Sequence, residues 1–277
     1  MKKSINTFLK HPTKDSSNKS ANPPIIRAST ILFDTMQELH NHENKIKKHQ
    51  KISHYSYGRY GSSTTIELEN ILKELEQAYH VFLTGTGFGG VALALMSLCR
   101  PGDEILVSDN VYGPTKEISQ ELMKEFKVDA KFYNPVSLDD LKRKISHKTK
   151  MILVENPGSN TFEFQDLSKI VKVAKRKKIF TLLDNTWGTP LYLKPLKLGF
   201  DMSFCSATKY FSGHSDAMGG SLAVNKKVFK KIMFFYKLSG YRMSADEAYL
   251  IIRGLRTLDT RLKKHYENTK IIINFLR

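Results

Sequence analysis

Short apolar, β-branched runs alternate with longer amphipathic stretches through the middle of the chain. We interpret the apolar runs as strands: HVFLTG, EILVSD, DAKFYN, KMILVEN, IFTLLDN and DMSFCS. The stretches between them have helical spacing: GGVALALMSLC, GPTKEISQELMKEF, SLDDLKRKI and DLSKIVKVAKRKK. This alternation predicts an α/β fold in which a mainly parallel sheet is flanked by helices. Ligands of such sheets bind beyond the carboxyl ends of the strands, so residues that follow strands are the candidates for chemistry.

Composition limits the class of protein. The 277 residues are 40% hydrophobic, which is enough to build one large domain and part of a second. No apolar run approaches the roughly 18 residues of a membrane span, and the polar N-terminus lacks a signal-peptide pattern. Cys99 and Cys205 have no disulfide or metal-ligand spacing, so we interpret both as small buried hydrophobes. These features predict a cytoplasmic protein with no metal site.

The formal net charge of +17 raises the alternative of a nucleic-acid partner. The lysine clusters are scattered, however, and they lie beside amphipathic or strand-like segments, where solvated faces are the commoner explanation. No basic motif interleaved with aromatic residues accompanies them. We therefore expect a small-molecule substrate and neither nucleic acid nor a membrane as partner.

A glycine-rich motif follows the first predicted strand. Gly85, Gly87 and Gly90 satisfy the pattern G-x-G-x-x-G, and Asp109 ends the next strand. One interpretation is a dinucleotide site, with Asp109 on a ribose hydroxyl, in a nicotinamide-dependent oxidoreductase. The other is a cradle for a single phosphate, made by backbone N–H groups around Gly87 and Phe88 at a helix N-terminus. The pattern alone leaves both open.

Two later residues favour the second interpretation. Asp184 ends the run IFTLLD, and Lys209 follows the next strand. A pyridoxal 5'-phosphate enzyme needs this pair, because the lysine amine captures the cofactor aldehyde and the carboxylate keeps the pyridine nitrogen protonated. Taken singly, each has an ordinary structural explanation in a turn or on the surface. Ser206 and Thr208 lie where their hydroxyls can reach the same phosphate.

The chain resembles the cystathionine lyase and synthase family, which consists of fold-type I, pyridoxal-phosphate-dependent enzymes of cysteine and methionine metabolism. The resemblance covers nearly the whole chain. It is carried by NPPIIRASTILF, YSYGRYG, SDNVYGPT, ENPGSN, ATKYFSGHSDAMGG and GLRTLDTRL. ENPGSN and ATKYFSGHSDAMGG are most similar to the branch of the family that eliminates at the β carbon of cystathionine.

The resemblance implies a role for each matching residue. Lys209 would bind the cofactor, Asp184 would pair with its ring nitrogen, and Tyr112 would stack over the ring. Tyr57 and Arg59 would reach across a dimer interface to the cofactor phosphate of the neighbouring subunit. The complete set of cofactor-binding residues is then Tyr57, Arg59, Gly87, Phe88, Tyr112, Asn160, Asp184, Ser206, Thr208 and Lys209. Among them, the catalytic residues would be Lys209, Tyr112 and Tyr57.

The implied activity is a carbon–sulfur lyase that converts L-cystathionine to homocysteine, pyruvate and ammonia. Cystathionine γ-lyase, γ-synthase or methionine γ-lyase chemistry remain alternatives, as do an inactive gene remnant and the nicotinamide oxidoreductase. The resemblance also implies a homo-oligomer, a dimer of dimers.

The resemblance divides the chain into three parts. Residues 1–60 would form an N-terminal arm and inter-subunit segment, residues 61–256 the cofactor-binding large domain, and residues 257–277 the start of a C-terminal domain. Family members continue into a small domain that supplies an arginine for the substrate carboxylate. Because the helical pattern ends on the apolar cluster IIINFL, we expect the chain to be truncated, with impaired turnover.

Overall fold

The computed structural model describes residues 4–10, 20–48, 52 and 54–277. Its centre is a seven-stranded sheet with the strand order β1-β7-β6-β5-β4-β2-β3. The strands are β1 (His80–Thr84), β2 (Glu104–Ser108), β3 (Asp129–Tyr133), β4 (Thr149–Glu155), β5 (Phe180–Asp184), β6 (Met202–Ser206) and β7 (Gly220–Val224). Six of them are the runs predicted from the sequence.

The sheet is mixed and mostly parallel, as the alternation predicted. Strands β3, β2, β4, β5 and β6 pair in parallel, so their carboxyl ends meet at one edge. Strand β7, which the sequence pattern did not reveal, pairs antiparallel with both β6 and β1. It was missed because it begins at Gly220, directly after Gly219, and paired glycines are typical of turns.

Helices cover both faces of the sheet. The helices are α1 (Ile5–Lys10), α2 (Met36–Lys47), α3 (Ser63–Glu76), α4 (Gly87–Leu98), α5 (Gly113–Glu117), α6 (Met123–Glu125), α7 (Leu138–Lys144), α8 (Leu167–Lys177), α9 (Thr189–Tyr192), α10 (Pro195–Leu198), α11 (Lys226–Ser239), α12 (Ala245–Leu255) and α13 (Leu258–Leu276). A π-helical turn joins α5 to α6, so the predicted helix GPTKEISQELMKEF is one nearly continuous element.

Local sequence signals explain where many of these helices begin. Ser137, Asp166, Asn225 and Ser244 each accept a backbone N–H from the first turn of the helix that follows. Such caps satisfy donors that have no acceptor within the helix. They explain why α7, α8, α11 and α12 begin where they do.

Alternate strand residues supply the core on each face. On one face, α4 and α11 pack together over apolar residues of the sheet such as Phe82, Leu182 and Leu222. On the opposite face, α3 and α12 cover one half of the sheet, and α7 and α8 cover the other. Cys99 and Cys205 are buried and free, as predicted. This three-layer arrangement fixes the strand ends that carry the candidate site.

The last turns of α13 carry exposed apolar side chains. Phe275 is 86% exposed, and Ile271 is 66% exposed. The apolar end predicted from the sequence is therefore a solvent-facing surface. Along the described part of the chain, no helix combines the length and the apolar character that a membrane crossing requires.

Candidate functional site

A cavity of about 540 Å³ opens at the carboxyl ends of the parallel strands. Its walls come from the N-terminus of α4, the segments that follow β2, β4 and β5, and the connection between β6 and β7. Eight of the residues predicted from the sequence line it: Gly87, Phe88, Tyr112, Asn160, Asp184, Ser206, Thr208 and Lys209. The fold thus brings together residues that are far apart in the sequence.

Lys209 lies in the connection that turns the chain from β6 back into β7. Its N–H donates to the carbonyl of Ser206 at 3.1 Å, and its own carbonyl accepts the N–H of Gly213 at 2.8 Å. The Lys209 side chain is exposed at the cavity. The backbone is therefore held on both sides of the lysine, while the amine is free to meet a ligand.

Thr208, the neighbour of Lys209, closes the same connection. Its Oγ1 accepts the N–H of Gly219 at 3.0 Å and donates to the carbonyl of Gly219 at 3.3 Å. The Thr208 hydroxyl thus has partners within its own loop. It lines the cavity, but part of its hydrogen-bonding capacity is used to hold the loop.

Asp184 ends β5 and faces the cavity from the floor. Its Oδ1 accepts the N–H of Thr186 at 2.9 Å. Burial raises the pKa of the Asp184 carboxyl, because the charged form loses its hydration there. A cation placed next to Asp184 would remove that penalty, so the site favours a positively charged group at this point.

The N-terminus of α4 forms a cradle beside Ser206. Thr86 caps the helix by accepting the N–H of Gly89 at 3.0 Å. The N–H groups of Gly87 and Phe88 precede this bond, and N–H groups of a first helical turn have no acceptor within the helix. A Cβ atom at Gly87 would lie 2.5 Å from Oγ of Ser206, so only glycine leaves the space open. Backbone donors, a hydroxyl and the helix dipole all favour an anion there.

Tyr112 and Asn160 reach the cavity from two other strand ends. Tyr112 precedes α5 and is 53% exposed. Asn160 follows β4 in a turn where its φ is +63°, a left-handed conformation that asparagine tolerates. The N–H of Ser159 donates to the carbonyl of Asn110 at 2.8 Å, which ties the turn after β4 to the turn after β2.

Tyr57 and Arg59 lie outside the cavity of their own chain. Tyr57 forms an isolated antiparallel bridge with Thr30 and is 42% exposed. The Arg59 guanidinium lies over the rings of Tyr57 and Tyr60, at 5.5 Å and 5.0 Å from their centroids. Their predicted contact concerns the site of a neighbouring subunit, so it stays a prediction.

The sequence interpretation missed several residues of the cavity. Glu155 is a buried residue at the end of β4, where ligand-binding residues of such sheets are expected. Trp187 and Tyr210 form an aromatic wall with ring centroids 6.3 Å apart. The hydroxyl of Thr186 accepts the N–H of Ser206 at 2.9 Å. A survey of every residue that follows a strand would have found Glu155 and Thr186, since each lies at the end of a predicted strand or within two residues of it.

These donors and acceptors suit pyridoxal 5'-phosphate. The cofactor needs an anion site, an amine for its aldehyde, a carboxylate for its ring nitrogen and an apolar surface for its ring. The cavity offers one of each: the α4 cradle with Ser206, Lys209, Asp184 and the face of Tyr112. Asp109, the ribose partner of the nicotinamide alternative, does not line the cavity, and its carboxylate pairs with Lys116 at 2.8 Å. The donor set therefore fits the pyridoxal cofactor better than a dinucleotide.

Two curated relatives cover almost all of this chain. It is 34% identical over 93% of its length to the L-alanine/L-glutamate racemase of Wolbachia pipientis, of which it covers 64%. It is 32% identical over 99% of its length to a cystathionine beta-lyase of Bordetella avium, of which it covers 70%. The chain thus spans about two thirds of the length of these relatives.

A solved structure from Campylobacter jejuni has the same fold, with a TM-score of 0.89 and 25% sequence identity. The superposition covers 98% of this chain and 75% of that one, which carries an N'-pyridoxyl-lysine-5'-monophosphate residue. The family model described as Cys/Met metabolism PLP-dependent enzyme matches residues 6–277. The predicted fold and the predicted cofactor, pyridoxal 5'-phosphate, are both confirmed, and the chain belongs to the Cys/Met metabolism PLP-dependent enzyme family.

Proposed function

We propose that this chain forms the cofactor site of a carbon–sulfur lyase. The enzyme converts L-cystathionine and water to homocysteine, pyruvate and ammonia. The observation that carries the proposal is the cavity that joins Lys209, Asp184 and the α4 cradle. The resemblance of ENPGSN and ATKYFSGHSDAMGG to the β-eliminating branch supports this substrate. The relative from Bordetella avium, a cystathionine beta-lyase, supports it as well.

Each residue has a physical task in this proposal. Pyridoxal phosphate, when bound, supplies an aldehyde for amines and a ring that withdraws electrons from the α carbon of the substrate. Asp184 would hold a positive charge on the ring nitrogen, because its carboxylate is poorly hydrated and gains from a nearby cation. Lys209 would hold the cofactor through its Nζ, and once the substrate amine takes that place, the released Nζ would accept the proton from the α carbon. Tyr112 would cover the ring with its aromatic face.

The test of this proposal combines product analysis with covalent mapping. The chain, loaded with pyridoxal phosphate, is incubated with L-cystathionine, and pyruvate and free thiol are measured. A parallel sample is reduced with borohydride and mapped by peptide mass. We expect the cofactor mass on the peptide that contains Lys209 and equal amounts of pyruvate and thiol. An unmodified Lys209 peptide would refute the cofactor site, and 2-oxobutyrate in place of pyruvate would indicate γ elimination.

A second candidate function is amino-acid racemisation. It is favoured by the 34% identity with the Wolbachia protein, an L-alanine/L-glutamate racemase. Racemisation and β-elimination both begin with loss of the α proton, so the same Lys209 amine serves either. They differ in whether the proton returns. Incubation with L-alanine and L-glutamate, followed by chiral chromatography, separates the two: D-amino acids indicate a racemase, and pyruvate from cystathionine indicates the lyase.

We also propose that Tyr57 and Arg59 complete the cofactor site of a neighbouring subunit. Both residues are exposed and neither lines the cavity of its own chain, which supports this arrangement. Subunits with Lys209→Ala and subunits with Arg59→Ala should each be inactive alone. After mixing and reassembly, about a quarter of the wild-type activity should return, because half of random dimers are mixed and each has one intact site. If confirmed mixed dimers recover no activity, Arg59 does not act in the site of the neighbouring subunit.

The cytoplasmic location and the dimer of dimers predicted from the sequence stay predictions. Mixed-dimer recovery bears on the assembly directly, since a shared site requires at least two chains.

A further inference from the structure

Glu155 is the last residue of β4, and only 4% of its surface is exposed. In the register of the parallel pair, it lies beside Asp184 of β5. Both residues line the cavity. Glu155 therefore occupies the floor of the site, next to the carboxylate proposed for the ring nitrogen, although the proposed chemistry assigns it no task.

Each oxygen of Glu155 holds a different segment of the cavity wall. Its Oε2 accepts the backbone N–H of Tyr112 at 2.7 Å, at the start of α5. Its Oε1 accepts the hydroxyl of Ser159 at 2.6 Å, in the turn that carries Asn160. Both bonds are as short as hydrogen bonds to a carboxylate oxygen are. One side chain thus links the segment after β2 to the turn after β4.

Burial of Glu155 has an energetic cost. Loss of hydration, and then the nearby Asp184 charge, raise the pKa of the Glu155 carboxyl. An apolar side chain could fill this space without the free-energy cost of burying a carboxyl. The two hydrogen bonds are what a carboxyl adds, because a leucine or methionine could replace its volume but not its acceptors.

We propose that Glu155 is a positioning residue that fixes the Tyr112 backbone and the Ser159–Asn160 turn relative to each other around the cofactor cavity. Without it, the Tyr112 N–H and the Ser159 hydroxyl lose their partner in a buried setting, and each segment gains freedom. The ring-stacking residue and the turn that carries Asn160 would then no longer share one anchor. This inference rests on the proposed function for the role of Tyr112 and Asn160, but the anchor itself is a property of the protein alone.

Two substitutions of similar volume separate the anchor from simple packing. Glu155→Gln keeps an acceptor oxygen for the Tyr112 N–H, and its amide can donate to the Ser159 hydroxyl, which can also accept. Glu155→Met fills the space with no strong acceptor. Ser159→Ala removes only one of the two bonds. Glu163→Gln serves as control, because this half-buried glutamate in the same loop accepts hydrogen bonds from Thr161 and Asn110 rather than from Tyr112 or Ser159.

The first measurement is residue-level hydrogen exchange in the cofactor-free protein. We expect the Tyr112 amide to exchange at least about tenfold faster in Glu155→Met and near the wild-type rate in Glu155→Gln. In Ser159→Ala, the turn after β4 should exchange faster while the Tyr112 amide stays protected. Equal Tyr112 exchange in the Met and Gln variants would overturn the proposal, because packing alone would then explain the residue.

The second measurement is binding of pyridoxal phosphate, followed by the visible circular dichroism of the bound cofactor. Glu155→Met should bind at least about tenfold more weakly than Glu155→Gln and should show a smaller dichroic band, since the ring sits in a looser wall. If the Met variant is not recovered folded, Ser159→Ala decides: unchanged exchange in its own turn overturns the anchor. If wild-type protein binds no cofactor, the proposed function fails, whereas the exchange measurement still decides the role of Glu155.

Discussion

At the residue scale, Lys209 and Asp184 face one cavity from different strands, and their removal should damage different properties. Lys209→Ala leaves the α4 cradle intact, so the cofactor should still bind but should not become fixed by borohydride. Asp184→Asn should still be fixed at Lys209 yet withdraw electrons weakly, which should slow exchange of the substrate α proton by about a hundredfold or more. Solvent-deuterium incorporation, followed by NMR, measures that rate. A wild-type spectrum together with wild-type exchange in Asp184→Asn would contradict the role of this carboxylate.

At the element scale, the approach of α4 to β6 depends on Gly87. A methyl group there would meet Oγ of Ser206 at 2.5 Å and would fill the cradle. We expect Gly87→Ala to weaken pyridoxal phosphate binding about tenfold or more while the fold persists, because the helix itself tolerates alanine well. Equilibrium dialysis gives the affinity, and far-UV circular dichroism gives the helix content.

Gly113→Ala is the matched control for that experiment. Gly113 also begins a helix, α5, but apart from its chain neighbours and the backbone of its own helix, no atom of the described residues lies within 4 Å of the added carbon. The two variants thus add the same methyl group at comparable helix positions. Equal losses of affinity in both would show that the cradle beside Ser206 is not the phosphate site.

At the scale of the whole molecule, buried acids should make stability fall as pH rises. Burial raises the pKa of Glu69 to about 8 and that of Glu76 to about 7, from an ordinary value of 4.5. The folded protein therefore holds more protons than the unfolded chain between about pH 4.5 and 8, so raising the pH through this window favours unfolding. Each unit of raised pKa corresponds to about 1.4 kcal/mol of this dependence.

Glu76→Gln tests the prediction, because Oε2 of Glu76 has no hydrogen-bond partner among the described residues and Glu76 does not line the cofactor cavity. Denaturant unfolding at a series of pH values should give a smaller decrease in the free energy of unfolding for this variant than for wild type. Glu125→Gln, at an exposed position on α6, should follow the wild-type curve. Parallel curves for wild type and Glu76→Gln would mean that Glu76 does not hold its proton in the folded state.

The sequence predicted most of the fold, and most of the residues that it predicted for the cofactor site line the cavity. Asp184 and Lys209 could be predicted because they lie at or after apolar runs. The carboxyl ends of parallel strands lie at one edge of the sheet, so these residues were expected to be close together. Strand β7 escaped notice, since its pairing with β1 is a contact between distant parts of the chain that no local pattern encodes. Glu155 differs from β7, because a survey of strand ends would have found it as a candidate. Its two hydrogen bonds, to Tyr112 and Ser159, are contacts that no sequence pattern encodes.

The pairing of β1 with β7 also bears on how the protein is made. Thr84 of β1 pairs with Gly220 of β7, which the ribosome adds long after β1 has emerged. Until then, the nascent chain carries an unpaired strand edge, and open edges invite wrong partners and chaperones. Gly220 also lies against the start of α4, where a Cβ atom would be 2.6 Å from the carbonyl oxygen of Thr86. The residue that packs behind the start of α4 is therefore translated after Lys209, so the cradle gains this support late in synthesis.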